Sequence, residues 1–166
     1  VRQLIELTKL EYEKREFNNR TFNIVELEKE IVRTSKVMID EKQTEVIFET
    51  PDKIDVFADD MYLSQIITNY LTNAIKHVKD VDGEKYIKIT NVTVFNTGEN
   101  ISEENLNRIW NRFFKADEAR NRDDGGSGIG LSIVRAIMNN YGNDYGVKNK
   151  PKGVEFYFEV DLQSGQ

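Results

Sequence analysis

The chain has 166 residues, 31% of them charged, with a net charge of −6 at pH 7. That is the size of one domain, and the wrong sign for a nucleic-acid partner, whose phosphates call for a basic stripe. It contains no cysteine, and nothing in it reads as a signal peptide or a membrane-spanning run, so a disulfide framework is excluded and a compact intracellular module is expected.

Val1 to about Asn18 reads as a separate helix, with Leu4, Ile5, Leu7 and Leu10 on one side. Asn23 and Glu26 form an N-x-x-E capping pattern for a second helix reaching about Glu41, with Val25, Ile31, Val32, Met38 and Ile39 as expected core. Strands are expected at Glu45 to Thr50 and Ile54 to Ala58, with Pro51 and Asp52 in the turn between them. Asp59 or Asp60 then caps a long amphipathic helix running to His77. Its apolar members Leu63, Ile66, Ile67, Tyr70, Leu71, Ala74, Ile75 and Val78 recur at steps of three and four. The other face stacks Gln65, Asn69, Asn73 and Lys76 at steps of four, four and three. An interior Asn costs a helix up to about 0.7 kcal/mol relative to Ala, so two of them one turn apart point to a ligand. Amide oxygens suit Mg²⁺ that shares its coordination with phosphates; the plainer reading is a polar helix face.

From Tyr86 to Asn96 the chain holds strand formers with no Gly, Pro or adjacent turn pair, and Asn91 alone is not expected to turn a hairpin. Val94 to Ile101 reads as a strand ending in a turn built on Gly98 and Asn100. After Ile109 to Asp117 (I-W-N-R-F-F-K-A-D) comes G-G-S-G-I-G, four glycines within six positions from Gly125 to Gly130. A helical pattern of Leu131, Val134, Ile137, Met138 and Tyr141 follows at once. Glycines that let the backbone approach a ligand, followed by a helix start that presents unpaired N–H groups, form a phosphate cradle; a flexible linker is the alternative. Gly130 is followed by Leu131 and Ser132 rather than Lys and Ser or Thr, which excludes a P-loop. The spacing Gly126, Gly128, Gly130 does not fit a dinucleotide fingerprint, and the H-R-D and D-F-G motifs of eukaryotic-type protein kinases are absent. Tyr145 to Lys148 and Val154 to Leu162 are the last expected strands, the second with Val154, Phe156, Phe158 and Val160 in alternation. The sum is an α+β fold, a two-layer α/β sandwich whose mixed sheet is covered by helices on one face.

Taken in this order, the amide helix, the strand with its glycine turn, the paired phenylalanines and the glycine run resemble the catalytic, ATP-binding domain of bacterial sensor histidine kinases. That domain is a branch of the ATPase superfamily shared with gyrase and the heat-shock chaperone. The resemblance covers roughly Phe22 to Leu162 and implies a Bergerat-type ATP-binding fold. It implies that residues 1–20 are the end of a dimerisation and phosphoacceptor hairpin with its linker, and that 21–166 are the catalytic domain. By the same resemblance Asn73 is the Mg²⁺ ligand, Lys76 a phosphate contact and Asn69 a support of that site, with His77 as a pocket wall or phosphate neighbour. Asn96 stands where the family has an Asp that accepts from the adenine amine, and lacks its charge assistance. Gly98 and Ile101 belong to the same nucleotide-binding region, in which Asn100 replaces a glycine; Asn tolerates the left-handed region better than other non-glycine residues. Phe113 and Phe114 match the F box, and Lys115 to Asp124 the nucleotide lid. Phe114 and Lys115 are expected to contact the nucleotide. Arg112, Lys115, Arg120 and Arg122 are placed within reach of the triphosphate, with Arg112 as first choice for a catalytic role. Gly126, Gly128 and Gly130 form the second glycine box, and Leu131 opens its helix. The family has a two-stranded hairpin within Tyr86 to Asn96, so a hairpin tip is expected to be missing between about Ile89 and Val92.

The function so implied is half of a protein-histidine kinase. ATP and Mg²⁺ supply a γ-phosphate to a histidine on the dimerisation hairpin of a homodimer, and a response regulator then takes it. The H-E-x-x-x-P-type phosphoacceptor motif is absent from the chain, and His77, its only histidine, does not lie in one. The family places such a domain on the cytoplasmic side of a membrane-bound sensor. Two other readings remain open at this point. One is a nucleotide-binding-impaired interaction module regulating a partner kinase, motivated by Asn96 and Asn100. The other is a sister branch such as an anti-sigma-factor serine kinase or a gyrase-like clamp.

Overall fold

A computed structural model describes residues 2–13, 16–114 and 128–162. In chain order the elements are α1 (Arg2–Tyr12), β1 (Arg20–Asn23), α2 (Ile24–Thr34), α3 (Lys36–Glu41), β2 (Glu45–Phe48), β3 (Asp55–Ala58) and α4 (Asp60–His77). They continue with β4 (Tyr86–Ile89), β5 (Thr93–Thr97), a 3-10 turn (Arg108–Trp110), α5 (Gly130–Tyr141), β6 (Tyr145–Lys150) and β7 (Gly153–Phe158). Five strands make a mixed sheet in the order β2-β4-β5-β7-β6, parallel between β2 and β4 and antiparallel elsewhere.

Period-two alternation decides which side of the sheet is covered. Ile89 pairs with Val94, Val94 with Phe156, and Phe156 with Val147, so one row of apolar side chains crosses four strands. Against this face lie the apolar stripes of α4 and α5, where Ile66, Tyr70, Leu71, Ala74, Val134 and Ile137 are fully buried. Each fully buried Ile, Leu or Val contributes roughly 1.5–3 kcal/mol. Tyr70 fixes α4 on the sheet: its ring lies 5.2 Å from that of Phe156, and its hydroxyl donates to the Tyr157 carbonyl at 2.9 Å. Burial pushes the Tyr70 phenol well above its ordinary range.

The N-terminus of α4 is held from two directions. Asp59 is its cap; Oδ1 accepts from Met61 N (3.0 Å) and Tyr62 N (3.3 Å), while Oδ2 accepts from Asn18 N (2.9 Å). Asp59 N donates to the Tyr141 hydroxyl at 2.8 Å, and Phe17 stacks on the Tyr141 ring at 3.8 Å. The stretch after α1 is thereby fastened to one end of both α4 and α5.

The structure departs from the sequence reading in five places. The single helix expected to Glu41 is broken at Ser35, whose hydroxyl bonds back to Ile31 O at 2.8 Å, a side-chain bond that competes with the helical ladder. The break resets the helical phase, so Ile39 is buried while Met38, expected in the core, is 41% exposed. The Ile54 to Ala58 strand pairs with β1, a strand the sequence reading missed, in a separate two-stranded sheet. In α1, Leu7 and Leu10 are buried but Ile5 is exposed. Finally, residues 90–92 do close a hairpin: Thr90 N donates to Thr93 O at 3.1 Å, and the two threonine hydroxyls bond across the turn. Paired side chains of Thr90 and Thr93 thus do what Asn91 alone was not expected to do.

Candidate functional site

The site is built where α4, the end of β5 and the start of α5 meet. On α4 the stripe Gln65, Asn69, Asn73 and Lys76 is half-buried, and the flanking Thr68 and Thr72 are exposed. Gln65 Oε1 is buried and has no hydrogen-bond partner among the described residues, an acceptor that burial normally requires to be paired. The glycine-run helix comes directly against this stripe: a Cβ at Gly130 would lie 3.2 Å from Asn69 Oδ1. Among the described residues the Lys76 ammonium makes no ion pair, so its charge is available inside an acidic chain.

At the other end of the stripe, β5 delivers Asn96, Thr97 and Gly98 to the C-terminus of α4. Gly98 has φ +155°, and a Cβ there would meet the His77 carbonyl at 2.9 Å, so the close approach of turn to helix requires glycine. Lys79 N donates to Thr97 O at 2.9 Å and completes the junction. Asn96 is 3% exposed; its Nδ2 donates to Thr97 O at 3.0 Å, which leaves Oδ1 as the acceptor end of the amide.

Asn100 does not adopt the left-handed backbone that the sequence reading considered, since it is not among the residues with positive φ. Its amide instead braces the β6–β7 hairpin, donating to Lys150 O (3.1 Å) and Gly153 O (2.8 Å). The next residue is gripped as firmly. Asn149 on β6 accepts from Ile101 N at 2.9 Å and donates to Ile101 O at 2.7 Å, and Ile101 packs on the core. The sequence reading missed Asn149; asparagine inside a strand, where it is disfavoured, was the available signal.

Gly128 has φ +73°, and a Cβ there would meet Phe113 Cα at 2.9 Å. Phe113 N donates to Gly128 O at 2.8 Å, which brings the F-box segment onto the glycine box. Phe113 itself has φ +59° and is 56% exposed, whereas Phe114 is half-buried with the Arg108 guanidinium 5.3 Å from its ring centre. Ile129 caps α5 without any side-chain hydrogen bond, so among the described residues no side chain caps the N–H groups of the turn opened by Gly130 and Leu131. Arg112 is turned toward α1, where Glu11 binds its guanidinium. Lys115, Arg120, Arg122, Gly125 and Gly126 lie outside the described residues.

The end of the glycine run held against an amide stripe, with a second glycine turn at the far end, brings helix N–H groups and side-chain amides together where α4 meets α5. The sequence profile of the histidine kinase-, DNA gyrase B- and HSP90-like ATPases matches residues 58–164, which span every part of this junction. The chain belongs to that ATPase family. Within it, the chain is 31% identical to the sensor histidine kinase YkoH of Bacillus subtilis over 173 aligned residues, covering 98% of this chain and 36% of the relative. The catalytic domain of the histidine kinase ThkA superposes with a TM-score of 0.74 at 28% identity, over 88% of this chain and 97% of that domain. A structure of ThkA with the response regulator protein TrrA gives 0.72 at 28% identity, over 98% of this chain and 48% of that one. The chain is therefore a histidine kinase-type ATPase catalytic domain. It spans well under half the length of the curated relatives it matches, 36% and 38% of the first two.

Proposed function

We propose that this domain binds Mg²⁺-ATP between α4 and α5 and transfers the γ-phosphate to a histidine carried on a helical hairpin outside the chain. The observation that carries the reading is the close approach of Gly130 to Asn69, because it sets backbone N–H groups of a helix start against the amide stripe of α4. In this arrangement the N–H groups at Gly130 and Leu131 hold phosphate oxygens, with Gly126 and Gly128 shaping the loop before them. Lys76 supplies a cation, and Asn69 orients Asn73. Asn96 accepts from the adenine amine through Oδ1, while Gly98 and Ile101 line the base end beside His77. Phe114 and Lys115 close over the nucleotide, and Arg112 offsets charge on the transferring group.

Asn73 is the residue that would hold Mg²⁺. Among the described residues no group of three His, Asp or Glu side chains is placed to bind a metal by itself, so the ion would share its coordination between this amide and the phosphates. Bound there, Mg²⁺ neutralises phosphate oxygens and lowers the charge that opposes attack. The orphaned Gln65 Oε1 on the same stripe fits a ligand-bearing site rather than a solvated helix face.

Residues 1–20 are read as the end of the dimerisation and phosphoacceptor hairpin and its linker, and 21–166 as the catalytic domain. The parent kinase would be a homodimer, attached as a sensor to a membrane through other segments, and would pass phosphate to a response regulator, the class of protein with which ThkA is seen in complex. No described helix is long and apolar enough to cross a bilayer.

The test is titration of a fluorescent ATP analogue with and without Mg²⁺, alongside Asn73→Asp and Gly128→Ala. Saturable, Mg²⁺-dependent binding weakened by both substitutions is expected, followed by phosphotransfer to a hairpin supplied in trans. Absence of binding up to millimolar nucleotide would refute the reading and favour an interaction module.

A further inference from the structure

Residues 110–114 are tied to α5 on one side and to α1 on the other. Toward α5, Ser132 Oγ donates to Trp110 O at 3.0 Å, Arg135 Nη1 to Asn111 Oδ1 at 3.2 Å, and Phe113 N to Gly128 O at 2.8 Å. Toward α1, Arg112 donates through Nε to Glu11 Oε1 at 3.3 Å and through Nη2 to Glu11 Oε2. The Arg112 and Glu11 side chains are only 30% and 25% exposed, so the pair is partly withdrawn from solvent. The helix that carries Glu11 is docked on α5 by the buried Leu7 and Leu10, and Asn140 Nδ2 donates to Leu10 O at 2.8 Å.

Arg112 sits one residue from Phe113, which abuts Gly128, and two residues further on Gly130 abuts Asn69. The Arg112 guanidinium is thus carried by the segment that meets the glycine run, in a chain with net charge −6, yet its donors are spent on a carboxylate. A guanidinium fork that engages a carboxylate with two N–H groups cannot offer the same groups to a phosphate.

From this arrangement we propose that Glu11 is an autoinhibitory contact: while α1 is docked on α5, its carboxylate sequesters the Arg112 guanidinium, and displacement of α1 releases that cation to the polyphosphate of the bound nucleotide. The proposal rests on the nucleotide-binding reading above and adds a control element to it. Position of α1 becomes the input, since Leu7, Leu10 and Glu11 move as one turn of helix, and strength of phosphate binding becomes the output.

Binding of Mg²⁺-ATP and of adenosine, which lacks phosphates, is measured for the unsubstituted chain, Glu11→Gln, Arg112→Gln and the double variant, by displacement of a fluorescent ATP analogue. Glu11→Gln is expected to tighten ATP binding roughly fivefold, the upper end for a partly exposed ion pair, and to leave adenosine unchanged. The gain is expected to vanish in the Arg112→Gln background. A gain that survives there would come merely from removing a negative charge, and would overturn the proposal, as would no effect of Glu11→Gln on a chain that binds ATP. Failure of all four proteins to bind any nucleotide would overturn the ATP-site reading itself and this inference with it.

Discussion

Glu28 offers the sharpest test of the packing described above. It lies on α2 between the buried Val25 and Ile31, is itself 1% exposed, and its Oε2 has no hydrogen-bond partner among the described residues. Desolvation raises its carboxyl from 4.5 to about 8. In the folded protein the group is therefore neutral at pH 7, whereas in the unfolded chain it is ionised. Because the folded pKa is the higher one, the associated stability is fully present below about pH 4.5 and is lost progressively until the pH passes about 8. At about 1.4 kcal/mol per pKa unit the full loss is roughly 5 kcal/mol, a large fraction of the 5–15 kcal/mol that hold a typical domain together. Urea unfolding followed by circular dichroism at pH 5, 6, 7 and 8 measures it. Glu28→Gln is expected to match the parent near pH 5 and to exceed it by several kcal/mol at pH 8, with an unchanged dependence on urea. Glu28→Leu is expected to be more stable than the parent at every pH. Parallel pH profiles for parent and Glu28→Gln would refute the argument, since they would mean that the carboxylate is solvated or paired in the folded state.

Two further outcomes follow from individual contacts. Asn100→Gly restores the glycine that the family resemblance implies, but removes the bonds to Lys150 O and Gly153 O; it is expected to destabilise the domain by about 1–2 kcal/mol and to speed amide exchange in the β6–β7 turn. Tyr70→Phe removes the hydroxyl that reaches Tyr157 O and is expected to cost about 1 kcal/mol in urea unfolding while leaving nucleotide affinity within twofold, because this bond anchors α4 from its core side.

Elements whose identity rests on local periodicity were legible in the residues alone. The steps of three and four in α4 produce the same buried face in the structure, those in α5 place Val134, Ile137 and Met138 in the core but missed Ile133 and Ala136 and left Leu131 and Tyr141 half-buried, and the alternation of Val154, Phe156 and Phe158 produces the inner face of β7. Asp59 was readable as a cap because its side chain bonds only two and three residues ahead. Glycines were legible as a class for a similar reason: Gly98 and Gly128 need a backbone that side-chain-bearing residues resist, so composition betrays them before any contact is known.

Long-range partners were not legible. Nothing local in Asn100 announces that its amide meets carbonyls about fifty residues away, nor does Asn149 announce Ile101. The pairing of β1 with β3 likewise depends on where the chain returns. Arg112 shows the difference most plainly. Its charge and its place before two phenylalanines were visible in the sequence, but the folded chain decided that Glu11, 101 residues away, would hold it. Periodicity and backbone stereochemistry act over a few residues and are written in the order of the chain, whereas the partner of a charge or an amide is chosen only when packing brings distant segments together.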